Sequence, residues 1–153
     1  MNILIGINHP KQVYMFRNLH NYMITKDHNC HVLVVDKEMS CKLLDQFNIK
    51  YEKIGINHKS KFKKIISLIF LSIKTYLFSN KNNIDIFIGQ ALTHFGIASF
   101  LLRKPFIILE DTENALVPQL LANPFADTIL TPDCFGKDFG NKQIKLNSTF
   151  EIS

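Results

Sequence analysis

Ile3, Leu4, Ile5 and Ile7 form one short apolar run with no polar face, and such a run is a strand covered on both sides of its sheet. Gly6 sits near its end, and Asn8, His9 and Pro10 follow. Pro10 suits the first turn of a helix, where a missing N–H costs nothing. Val13, Phe16, Leu19 and Met23 then recur at helical spacing, which turns the chain back over the sheet on an apolar stripe. A buried strand feeding a helix through a polar loop begins an open α/β sheet, whose ligand loops lie at the carboxyl ends of the strands. Asn8, His9, Pro10 and Lys11 are therefore the first candidates for function.

The pattern repeats. A second buried strand is predicted over 31–35, a helix carries Met39, Leu43, Leu44 and Phe47, and a third strand nearer the sheet edge covers 50–54. Residues 84–89 read as a fourth strand ending in Gly89, after which Gln90, Thr93 and His94 open a helix that reaches Leu102. Further strands are predicted over 106–109 and 127–131, with a short apolar patch at 143–146. Strands alternating with helices through short connectors give right-handed βαβ units. The expected fold is α/β: a Rossmann-like, doubly wound, mostly parallel sheet of six to seven strands with helices on both faces. At 153 residues the chain is sized for one domain, expected over 1–146.

One segment stands apart. Lys59, Lys61, Lys63 and Lys64 precede a densely apolar run over 65–73 that continues through Tyr76, Leu77 and Phe78. It is too short for a bilayer span, which needs about 20 apolar residues. Core packing is the favoured reading. The alternative is an interfacial helix on anionic lipid, with Phe70 among its apolar residues.

Several classes of function are excluded or disfavoured. No Walker A sequence is present and no GxGxxG follows the first strand, so the first strand–helix turn is not built for a dinucleotide. The six histidines form no HExxH, and Cys30, Cys41 and Cys134 form no CxxC, so free thiols and no metal site are expected. The net charge of +5 is mild, and the lysines cluster before an apolar run and not among exposed aromatics, which argues against nucleic acid. The N-terminus shows no basic n-region and no apolar h-region, so a cytoplasmic protein is expected.

His9, Gly89 with Gln90 and His94, and the run Glu110-Asp111-Thr112-Glu113-Asn114 all fall just past the carboxyl ends of predicted parallel strands. In a doubly wound sheet those ends share one rim, so these residues are expected to converge on one cleft. A histidine beside carboxylates suits general base work, and the polar groups equally suit sugar hydroxyls. The acids would also serve to cap the next helix, where negative charge is favoured.

The runs Asn8-His9-Pro10-Lys11-Gln12-Val13, Phe106-Ile107-Ile108-Leu109-Glu110-Asp111-Thr112-Glu113 and Asn123-Pro124-Phe125-Ala126-Asp127, followed by Thr131-Pro132, resemble the prokaryotic family DUF354. Its members look like GT-B glycosyltransferases and non-hydrolysing UDP-N-acetylglucosamine 2-epimerases. The resemblance implies two Rossmann-like domains around a cleft, of which this chain is the first, with 147–153 starting the crossover to a missing second domain. It implies a UDP-sugar donor held by that domain and no cofactor in this chain. The implied activity is the acceptor side of a glycosyltransferase of surface polysaccharide or glycolipid synthesis. Half of a sugar-nucleotide epimerase and a non-catalytic subunit docking a donor-binding partner are the alternatives. His9, Glu110, Asp111 and Glu113 would be catalytic, while Asn8, Pro10, Lys11, Gly89, Gln90, His94, Thr112 and Asn114 would bind substrate. The implied acceptor is a sugar, either free or lipid-linked. Lys59, Lys61, Lys63, Lys64 and Phe70 would then touch the inner face of the plasma membrane.

Overall fold

The structure, a computed structural model, describes residues 1–36, 38–56 and 61–147. Seven strands form one sheet: β1 (Asn2–Ile7), β2 (Asn29–Asp36), β3 (Glu52–Ile56), β4 (Ile86–Gly89), β5 (Phe106–Leu109), β6 (Thr128–Pro132) and β7 (Gln143–Leu146). Their order is β3-β2-β1-β4-β5-β6-β7, and every pairing is parallel. Among the described residues the α-helices are α1 (Pro10–Thr25), α2 (Glu38–Gln46), α3 (Lys61–Lys81), α4 (Thr93–Leu102) and α5 (Leu116–Ala122). This is the expected doubly wound α/β fold.

The alternation of β1 explains the two layers. Ile3, Ile5 and Ile7 pack with Val13, Phe16 and Leu44 of α1 and α2. Leu4 faces the other way, into a cluster with Leu71, Phe95 and Ala122 of α3, α4 and α5. Each strand residue of β1 past Asn2 is therefore buried on one side or the other, which is why the run carries no polar position.

Several boundaries depart from expectation; β2 (Asn29–Asp36) is longer than 31–35 and β6 (Thr128–Pro132) is shifted by one residue from 127–131. β3 runs over Glu52–Ile56, not 50–54, and takes in Gly55 behind a register shift between Val34 and Val35. A Cβ on Gly55 would come within 2.6 Å of Leu71 Cδ2, so the glycine serves the close passage of α3 and does not start a loop. β4 begins at Ile86, not at 84, and α4 begins at Thr93, with Gln90 in the turn ahead of it.

The favoured core reading of α3 does not hold. Its inner face carries Leu71 with the small residues Ser72, Thr75 and Ser79, all buried, whereas Ile65, Ile66, Ile69, Phe70, Ile73 and Leu77 are each more than half exposed. Small residues on the inside let α4 approach closely, and the bulky ones are turned outward. Lys59 lies outside the described residues, as do the side chains of Lys61, Lys63 and Lys64 and the expected crossover beyond Asn147.

Candidate functional site

The strand order reverses between β1 and β4, which both start from the middle of the sheet and send their helices to opposite faces. Loops leaving the carboxyl ends of two such strands diverge and leave a crevice between them. Here the crevice is bordered by Asn8 and His9 after β1, Gln90 after β4, and residues 110–114 after β5.

His9 is the N-cap of α1, in extended conformation, and its ring Nδ1 accepts from Lys11 N at 3.2 Å. Gln12, at the third helical position, closes a capping box: its Oε1 accepts from Asn8 N at 2.6 Å and His9 N at 3.1 Å. Pro10 has no N–H to offer. The donors at the start of α1 are thus taken up within the segment itself, Lys11 N by the His9 ring and Gln12 N by His9 O, which agrees with the missing glycine-rich phosphate sequence.

Gln12 then extends the network across the crevice. Its Nε2 donates to Gln90 Oε1 at 2.6 Å, and Gln90 Nε2 donates to Asp111 Oδ1 at 2.9 Å. Asp111 also accepts from Thr112 Oγ1 at 3.1 Å and pairs with Lys11 Nζ at 2.8 Å through Oδ2. Three loops, after β1, β4 and β5, are joined by side chains. Asn8, Lys11, Gln90, Asp111 and Thr112 are brought together as expected of a shared rim.

Other expected members lie elsewhere. Glu110 is 2% exposed; its Oε1 accepts from Thr112 N at 3.0 Å, and burial raises its pKa. Glu113 Oε1 accepts from Gly136 N at 2.8 Å, tying the loop to the β6–β7 connection. Both carboxylates hold the loop and do not pair with His9. A backbone N–H pointing at Nδ1 requires a lone pair there, so the neutral ring carries its proton on Nε2 and is a donor at that atom. To act as a base, His9 would have to release Lys11 N–H. His94 is buried at 6% exposure and packs edge-on to Phe95 at 5.2 Å; burial pushes its pKa down to about 4. Gly89 is buried against Leu92, and Asn114 is exposed. The capping alternative also fails, because α5 has Ala115 at its N-cap and no side-chain cap.

Two residues were missed. Gln12 joins β1 to β4, and its signal was the His9-x-x-Gln12 spacing of a capping box. Gln119 is buried on α5, donates to Thr112 O at 2.6 Å and accepts from Lys137 Nζ at 2.9 Å; nothing local marked it.

No family model matches the chain, and no curated protein matches it by sequence. Solved structures do match. MurG from Acinetobacter baumannii is 15% identical with a TM-score of 0.73, over 90% of this chain and 43% of that one. UDP-GlcNAc 2-epimerase from Neisseria meningitidis, bound to UDP-GlcNAc, is 13% identical with a TM-score of 0.70, over 86% and 40%. The glycosyltransferase VinC in complex with dTDP is 11% identical with a TM-score of 0.58, over 82% and 38%. The chain spans less than half the length of each of these proteins and shares with them the Rossmann-like fold of a GT-B N-terminal domain.

Proposed function

We propose that this chain is the acceptor-side half of a GT-B-type glycosyltransferase of surface polysaccharide or glycolipid synthesis, as in the DUF354 resemblance, and that it works with a separate UDP-sugar-binding domain. The observation supporting it is the Lys11–Asp111–Gln90–Gln12 network at the strand-order reversal. It offers a fixed set of donors and acceptors of the kind sugar hydroxyls need, and the N-terminus of α1 is spent on itself. In this reading the acceptor lies between His9 Nε2–H and Asp111, while the buried Glu110 and the clamped Glu113 keep the loop in shape. The donor and its nucleotide belong to the partner domain.

Affinity purification of the tagged chain from its native cells tests this. A UDP-sugar-binding polypeptide, or a longer form of the chain, is expected to come with it. That assembly should release UDP from a UDP-sugar, and Asp111→Asn should lower the rate about tenfold or more with the assembly intact, the worth of a charge-assisted hydrogen bond. Formation of the C2 epimer of the sugar nucleotide, without UDP release, would establish the epimerase reading. An assembly that forms but turns over no UDP-sugar would leave the scaffold reading.

The proposal includes a peripheral membrane contact through α3. Among the described residues no helix is long and apolar enough to cross a membrane. The outward stripe from Ile65 to Leu77 is nonetheless apolar, with Lys74 Nζ 4.6 Å above the Phe70 ring, the form of an interfacial helix. In sedimentation with anionic vesicles, Lys61→Glu with Lys64→Glu, and Ile69→Glu separately, are each expected to weaken binding about tenfold. Unchanged binding in both would remove the membrane from the proposal.

A further inference from the structure

The connection from β6 to β7 contains no α-helix, only a loop with a 3₁₀ turn at Gly140–Lys142. The edge of the sheet beyond α5 is therefore covered thinly, and a groove of about 540 Å³ lies there, within the size range of small-molecule sites. Its walls are Leu116 and Leu120 of α5, Pro124, Ile129 of β6 and Phe139. Lys137 and Lys142 also line it, and no acidic residue does.

We propose that this groove binds a single-chain anionic amphiphile, with the alkyl chain along α5 and the head group at Lys137 and Lys142. Among the described residues, neither lysine pairs with a carboxylate. Lys137 Nζ donates to Gln119 Oε1 at 2.9 Å and to Glu113 O; Lys142 Nζ donates to Pro124 O at 3.2 Å. Neutral oxygens hold both ammonium groups in place and leave their charge for a phosphate or carboxylate, the complement that an ammonium point charge binds well. The apolar wall continues outward: Leu116 is 66% and Leu120 76% exposed, a cost in water that a hydrocarbon chain would relieve. Asn123 Oδ1, beside the groove, is buried with no hydrogen-bond partner. The site is distinct from the crevice, although Gln119 and Lys137 connect the two through Thr112 and Glu113. It stands whether or not the chain transfers a sugar.

Decyl phosphate, kept below its micelle concentration, is the probe, titrated into the full chain with labelled Leu and Ile methyl groups. Saturable shifts are expected at Leu116, Leu120 and Ile129. Lys142→Gln and Leu120→Asp, both at exposed positions, should each weaken binding about tenfold. Decyltrimethylammonium and inorganic phosphate should leave the same methyl groups unmoved. Equal affinity for the cationic probe, or wild-type binding in both variants, would overturn the proposal. So would shifts confined to Ile65, Ile69 and Ile73 of α3. Broadening of Leu116 and Leu120 with protein concentration alone would show that a second copy covers the groove instead.

Discussion

Lowering the pH from 7 to 4 is expected to cost the fold about 3 kcal/mol through His94 alone. Burial pushes the folded pKa of this ring down to about 4, whereas the unfolded chain takes up the proton near pH 6.5. Between those values the unfolded state binds more protons, so stability is complete above pH 6.5 and falls as pH drops towards 4. The ring has nowhere to put a charge, since it sits on the inner face of α4 beside Phe95. Urea midpoints of wild type and His94→Leu at pH 7, 5.5 and 4 would check this: the variant should lose most of the slope over that window. Glu110 works in the opposite sense. Its raised pKa means that stability falls as pH rises through its folded value, so Glu110→Gln should leave the acid-side loss at His94 in place. A wild-type slope retained in His94→Leu would show that other groups dominate.

Replacing Gln12 is expected to be the other large effect. In Gln12→Ala the N–H groups of Asn8 and His9 lose their acceptor and Gln90 Oε1 loses its donor. The lost cap costs about 1 kcal/mol, and the groups left unpaired raise the total to about 3 kcal/mol. Gln12→Glu keeps the acceptor for the two N–H groups and should recover the capping part, provided Gln90 turns its amide towards the new carboxylate. Denaturant unfolding of both variants distinguishes them. Equal loss in the two would mean that the bond across the crevice, not the cap, carries the effect.

Much of this fold could be read from local signals. The runs at 3–7, 31–35 and 106–109 carry no polar face, and only strands inside a parallel sheet tolerate that on both sides. The common rim followed from the parallel reading alone. What the sequence could not supply was the direction of individual side chains. Glu110 and Asp111 are neighbours of like charge, yet one turns inward to Thr112 N and the other out to Lys11; loop conformation decides that, not residue type. His94 was expected on the rim because it follows β4, yet it lies on the helix face that carries Phe95 and Ala98 and is interior. In α3 a hydrophobic period was nearly absent, so the apolar residues could not reveal which side faced in. The hydroxyl residues Ser72, Thr75 and Ser79 could, because they mark where two helices come close.

The inside-out arrangement of α3 also bears on how the chain is made. Synthesis proceeds from the N-terminus, and domains assemble as their parts emerge. The residues of α3 leave the ribosome before β4, with which β1 pairs, and before α4, against which α3 packs. For the time it takes to translate about twenty further residues, from Lys81 to Leu102, the nascent chain carries a helix that is apolar on its outer stripe and without its inner neighbour. Order of synthesis thus offers this helix to any nearby apolar surface first, and to its own domain second.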